Sequence, residues 1–434
     1  MFQSEEQRSE MFKDNNPGKT AADSEKLSLN ERQGKTMKFM KVLISLIIAC
    51  IIAIIIAFSL KIYTPLGLAM RINDNPQVIK TIVSLGADVN AQDRFGSTPL
   101  IYAILSFANP QVITTLANAG ADVNMKDALG WTPLMSAVVF NSNPEVIAAL
   151  INAGANVNEK DVSGWTPLML EVRNNSNPGV TKALINAGAN ANARNNNEDT
   201  PLMEAARYNN NPEIIKALID AGADVNTHGV SGSTPLMLAA RHNPNPQIIS
   251  ALIEAGADVN ARDKFGYTPL LFVAHFNSNP ELITTLLNAG ADVNVKGVVG
   301  YTPLMFVIRY NYNPEMITTL LNASADVNIR DDFGNTPLIL EARLIDTRPK
   351  YNPDVIAALI KAGADVNAIN DSGNTSLLFA TRFSSNPDVI TILLDSGADP
   401  TVIDDNGKMP IEYARDNEKL KNTEVIRKLE EVSK

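Results

Sequence analysis

Cysteine and histidine are nearly absent: Cys50, His228, His242 and His275 are all there is in 434 residues. One thiol excludes a structural disulfide within the chain, and no His/Cys spacing resembles a metal site. The lack of disulfides does not identify a compartment, because many exported proteins do without them. There is no Gly-rich phosphate loop, no Gly-x-Ser-x-Gly and no His/carboxylate pair at catalytic spacing. No enzymatic activity, cofactor or metal is therefore expected. Asp404-Asp405-Asn406-Gly407 lacks the alternating ligands of an EF-hand loop and reads as a turn. Aromatics make up only 6% of the chain. The net charge of −10 argues against a general nucleic-acid binder.

Long hydrophobic runs are equally scarce, with one exception. Val42 to Leu60 reads VLISLIIACIIAIIIAFSL, 19 residues without a charge, bracketed by Lys41 and Lys61. A helix needs about 20 apolar residues to cross a bilayer core, so 41–61 is expected to be a single transmembrane helix. Residues 1–40 are polar, mixed in charge and without a helical or strand period, and are expected to be a disordered tail. Lys26, Arg32, Lys35, Lys38 and Lys41 precede the span, against only Lys61 and Arg71 after it. That excess places the N-terminus in the cytoplasm and the remainder on the far side. The alternative is a cleaved signal segment and a secreted product. Met37 opens a plausible signal start, and Ile47-Ile48-Ala49-Cys50 resembles a lipoprotein cleavage box. Against it, the sequence after Cys50 stays apolar through Phe58.

What the remainder has is a period. Thr-Pro-Leu begins at Thr64, Thr98, Thr132, Thr166, Thr200, Thr234, Thr268, Thr302 and Thr336, always 34 residues apart. Thr375-Ser376-Leu377 follows after 39 residues, and Met409-Pro410-Ile411 after a further 34. Asn-Pro recurs ten times in step, from Asn75-Pro76 to Asn386-Pro387. Each unit decodes locally. Thr132 is an N-cap with Pro133 at N1, opening a helix to about Phe140. Asn143 caps a second helix carrying Val146, Ile147, Leu150 and Ile151 as its apolar stripe. Gly154 ends it, and a polar loop with a turn at Gly164 leads to the next unit. Two short helices cannot bury both faces alone, so neighbours must stack.

The Thr-Pro-Leu, Gly-Ala-Asp-Val-Asn and Asp-x-x-Gly-x-Thr signatures resemble the ankyrin repeat family over residues 62–434, some eleven units. The resemblance implies an all-α solenoid of stacked helix-turn-helix units with finger loops and a protein-binding concave groove. At about 8–10 Å per packed helix layer, the stack would extend roughly 100 Å. Departures are systematic. The family's His after Thr-Pro-Leu is replaced by Met135, Met169, Met203, Met237, Leu271 and Met305, and its Gly-His turn by Asn-x-Asn-Pro. Glu198 stands at a finger Gly and Ser324 at a helix-ending Gly. Glu171 and Glu341 occupy positions usually small, and would need partners, with neighbouring arginines as candidates. A five-residue insertion falls near Leu344 to Tyr351, and the charged last unit resembles a cap.

The resemblance places the groove at finger positions just before Thr and at the end of the first helix. Trp131, Trp165, Tyr267 and Tyr301 precede Thr; Phe95, Leu129, Phe265 and Phe333 lie three before it. Seven after Thr come Arg173, Arg207, Arg241, Arg309, Arg343 and Arg382; eight after come Phe140, Tyr208, His242, Phe276, Tyr310 and Phe383. Trp, Tyr and Arg are the usual hot-spot residues of interfaces, so these columns are the candidate partner-binding residues. A further column, Lys126, Lys160, Arg194, Arg262, Lys296 and Arg330, reads as a solvated edge balancing the finger aspartates, or as a surface for an acidic partner. The expected function is a membrane-anchored scaffold for an unidentified protein partner.

Overall fold

Every inner helix but the last starts where a threonine hydroxyl meets the orphaned N–H groups of a new helix. Thr132 Oγ1 accepts from Met135 N at 3.3 Å, and the same bond recurs at Thr64, Thr200, Thr268 and Thr336. In this computed structural model, which describes residues 63–106, 109–174, 177–345, 353–421 and 423–432, the cap opens helices such as Pro133–Phe140, Pro201–Tyr208 and Pro269–Phe276. An outer helix follows in each unit, as at Pro144–Asn152, Pro212–Asp220 and Pro280–Asn288. Twenty-two α-helices and no strand occur among the described residues. No described helix is long and apolar enough to cross a membrane. The apolar run 42–60 and the tail 1–40 lie outside the described residues.

Inner helices pack on inner helices and outer on outer. One unit buries Leu134, Val138, Val146, Ile147 and Leu150 completely. Full burial of each such side chain stabilises the stack by about 1.5–3 kcal/mol. The methionines that replace histidine are buried too, and two do more than pack. Thr132 N and Thr234 N lie 3.5 and 3.4 Å from the sulfurs of Met135 and Met237, so a weak N–H···S contact stands where a stronger hydrogen bond was lost.

The polar seam between units is made by asparagine. Asn243 is buried; its Oδ1 accepts from Asn245 N, while its Nδ2 donates to the Ala206 and Asn209 carbonyls of the preceding unit at 3.2 and 2.9 Å. Asn245 caps the outer helix through Gln247 N and donates to Asn210 O. Asn277 and Asn279 repeat the pattern one unit later. On the opposite side, Asn226 Nδ2 donates to Gly256 O while its Oδ1 accepts from Asp258 N. Asn90, Asn124, Asn158, Asn192 and Asn367 make the same pair of bonds. Only a primary amide offers a donor and an acceptor at one planar end.

Most of the stretch expected to hold the insertion, 346–351, lies outside the described residues, and the flanking helices Pro337–Leu344 and Asp354–Lys361 keep their places in the stack. Of the two carboxylates expected to need arginine, both are fully buried; Glu341 accepts from the hydroxyl of Tyr312 at 3.1 Å. A turn with an i→i+5 bond from Tyr312 N to Val307 O puts Tyr312 at φ 49°. In the last unit, Met409 replaces the capping threonine, and Glu412 accepts from its N–H at 2.7 Å instead. Helix Glu424–Val432 buries Val425 and Leu429 and turns an ionic face outward, with Arg415–Glu430 and Arg427–Glu431 pairs at 2.7 Å, as a terminal cap requires.

Ser324 sits at φ 62° where the equivalent Gly290 has φ 89° and open space around its Cα. A left-handed non-glycine residue costs about 1–2 kcal/mol. Ser324→Gly should therefore raise stability by about 1 kcal/mol, read as a higher urea midpoint with an unchanged slope. Asn243→Asp should lower it by at least about 2 kcal/mol, because an acceptor then faces two carbonyls in a buried site.

Candidate partner-binding face

The finger is built by an Asx turn. Asp127 Oδ1 accepts from Leu129 N and Trp131 N, both at 2.9 Å, and Asp263 does the same for Phe265 N and Tyr267 N. This doubled acceptor holds the residue before Thr above the last turns of its inner helix. Trp131 consequently meets Phe140 at 5.8 Å between ring centroids, and the guanidinium of Arg173 lies 5.0 Å over Trp165.

Units seven and eight gather the densest cluster. Tyr267 stacks on Phe272 at 5.0 Å, His275 lies 3.9 Å from Phe276 and 4.4 Å from Tyr310, and Phe306 sits beneath. The Tyr267 hydroxyl and His275 Nδ1 are 3.1 Å apart. Burial lowers the His275 pKa, and Arg241 lowers it further. Phe272 and Phe306 belong to a column four residues after Thr that the sequence reading passed over, although it lies one helical turn before the aromatics eight after Thr. Tyr102, Phe379 and Tyr413 share it. These rings are mostly buried and carry the exposed ones.

Phe140, Tyr208, Phe276, Tyr310 and Phe383 are exposed, and Trp131, Trp165 and Tyr267 are half-buried. Tyr301 differs from the rest of its column. Its exposure is 5%, because its finger replaces the Asp by Gly297 and folds through Val299 at φ 51°. Tyr301 packs edge-on against Phe306 and supports the face from below.

The arginine column lies on the aromatics. Arg173 also covers Tyr208, Arg241 lies 4.5 Å from Phe276, Arg309 lies 5.3 Å from Tyr310 and Arg382 lies 5.1 Å from Phe383. Two of the arginines are neutralised within the chain. Arg207 pairs with Asp199 at 3.3 Å and Glu204 at 3.1 Å, and Arg173 approaches Glu204 at 3.7 Å. Burial pushes the Glu204 carboxyl up to about 7, with Asp199 adding to the rise and both arginines opposing it. Glu204 is the buried charge on this face that sequence reasoning missed: it stands in the unremarked column four after Thr, next to Asp199 in place of the finger aromatic.

The other basic column has a structural task. Lys126 Nζ donates to Lys160 O, Lys160 Nζ to Arg194 O, Arg262 to Lys296 O and Lys296 Nζ to Arg330 O, at 2.7–3.0 Å and always 34 residues ahead. These cations tie finger to finger while staying partly solvated, and Lys126, Arg194 and Arg330 also face Glu159, Glu198 and Asp371. No group of His, Cys, Asp or Glu able to hold a metal ion occurs among the described residues.

The family model for ankyrin repeats, three copies at a time, matches residues 66–161, 139–229, 209–297, 271–347 and 304–404, windows that overlap without a break. A search of curated proteins gave no significant match.

Glu204 also sets a pH dependence. Its pKa in the folded chain, about 7, exceeds the value near 4.3 of an unfolded glutamate. The stability it contributes is full below the unfolded value and is lost as pH rises through about 7. The Glu204 contribution to the denaturation midpoint should therefore climb as pH falls from about 7 to about 4.5, and Glu204→Gln should flatten that climb. His242 and His275 titrate in both proteins and cancel in the comparison.

Proposed function

The chain belongs to the ankyrin-repeat family, whose members are generally non-enzymatic scaffolds for protein–protein interaction, and on that premise we propose that it is a membrane-anchored scaffold. The partner is a protein, and it docks on the face of fingers and inner helices. The observation that carries this reading is a file of exposed rings at one position of the repeat, Phe140, Tyr208, Phe276, Tyr310 and Phe383, spread over units three to ten. Rings at such positions serve no core. They are stiff, amphipathic and backed by buried rings, which is what an interface anchor needs.

The anchor reading rests on Val42 to Leu60 and on the basic residues before it. It also gives a reason for the bare first unit, where Ile72 and Leu85 are 74% and 82% exposed. Only Lys61, Ile62 and Tyr63 separate the run from Thr64, so these side chains would lie at the membrane surface. Anchoring confines the search for partners to a plane and raises their effective concentration.

A reporter fused after Lys434 and the intact mass of the mature chain test the anchor. An extracytoplasmic reporter with a mass retaining 42–60 is expected; a mass starting near Cys50 would establish the secreted form instead. A photocrosslinking residue at Tyr310, introduced in cells, tests the face. Protein adducts should form there and not at Glu145 on an outer helix. Equal labelling at both positions would refute docking on this face.

A further inference from the structure

The chemistry of the partner can be read from how charge is distributed along the face, an inference that rests on the docking proposal above. The chain is acidic overall, yet most of its acids lie elsewhere, and the finger acids Asp263 and Asp331 are buried as the acceptors of their Asx turns. Glu145, Glu213, Glu281 and Glu315 open outer helices, and Asp122, Asp224, Asp258 and Asp292 follow outer helices. In units six to ten, the residues one before and four, seven and eight after Thr include four arginines, two histidines and no Asp or Glu. Arg173 and Arg207, nearer the start, have carboxylates of their own. Arg241, Arg309, Arg343 and Arg382 have no ion pair among the described residues. Their partners within the chain are ring faces: Phe276, Tyr310, Phe379 and Phe383 respectively. A guanidinium stacked on a ring is held in place with in-plane N–H donors available to a carboxylate, although Arg309 also hydrogen-bonds the Tyr310 hydroxyl.

The spacing selects a conformation. Packed helices repeat at about 8–10 Å, so arginines of adjacent units stand about that far apart, and Arg241 and Arg309, with His275 between them, about twice as far. A polyproline II segment rises about 3.1 Å per residue and returns to the same face every third residue, a step of about 9.3 Å. A β-strand alternates faces with period two, so its third residue points away. The exposed rings between the arginines are surfaces on which prolines pack. We propose that units six to ten bind an acidic, proline-rich polyproline II segment with a carboxylate at every third residue. Its acids would meet Arg241, Arg309, Arg343 and Arg382, with His275 opposite the position between the first two.

The test uses detergent-solubilised full chain and fluorescence anisotropy. The probe is a fluorescein-labelled fifteen-residue repeat of Glu-Pro-Pro. Controls are a peptide of the same composition with its five glutamates in one block, Lys-Pro-Pro repeats, and single-stranded dT15. The repeat should bind at least about tenfold more tightly than each control. Replacing Arg241, Arg309, Arg343 and Arg382 together by Gln should weaken it at least about tenfold while the helical circular dichroism is kept. If that variant fails to fold, R241Q and R382Q singly should each cost about threefold. Equal affinity for the block peptide would overturn the register, and equal affinity for dT15 would overturn a peptide occupant. Absence of binding to the repeat would overturn the proposal as a whole. Adducts at Tyr310 without binding of the probe would leave the docking face standing and remove only the acidic occupant; loss of both would remove the two together.

Discussion

The stack depends on the primary amide of asparagine. Short helices of eight or nine residues are not stable alone, and their apolar faces give adhesion without register. Register comes from amides that accept from their own unit and donate to its neighbour. Asn243 and Asn245 do this on one side, and Asn226 on the other. A carboxylate could cap but not donate, and a serine hydroxyl carries one donor on a shorter arm. The chain thus uses a residue that is poor inside helices at the places where helices end and units meet.

Half of that role is legible from sequence. Asn143 before Pro144 announces a helix cap, because donor and acceptor lie two residues apart. The donation that joins units spans 30 to 37 residues and becomes visible only when the stack brings the ends together. The structural task of the basic column was hidden for the same reason: Lys126 meets the carbonyl of Lys160 34 residues on, a partner that no local window contains. Helix positions, the capped last unit and the columns of rings followed from the period. Their exposure did not. Tyr267 and Tyr301 hold the same place in the repeat, and a glycine-for-aspartate change in one finger turns the second into core. Glu204 went unnoticed because no other member of its column is charged, so a single acid there had no pattern to belong to.

The face itself divides into two electrostatic parts. In unit five the fingers and inner helix supply acid to their own arginines, and the result is closed on itself. From unit six onward the arginines rest on rings, which orient them without cancelling their charge. A chain with an excess of ten negative charges can in this way present a cationic strip, since many acids are sorted to the outer helices and the turns that follow them, and finger acids such as Asp263 and Asp331 are buried as turn acceptors.

The seams are chemically alike, and this has a consequence for how such a chain can change. Lys126 finds at Lys160 the carbonyl that Lys160 finds at Arg194. Asn226 finds at Gly256 what Asn260 finds at Gly290. Excising or duplicating one complete 34-residue segment therefore joins two surfaces already made for each other. Recombination within the gene would lengthen or shorten the rod in whole steps, each junction as sound as the last, and shift the cationic strip outward or inward without redesigning it.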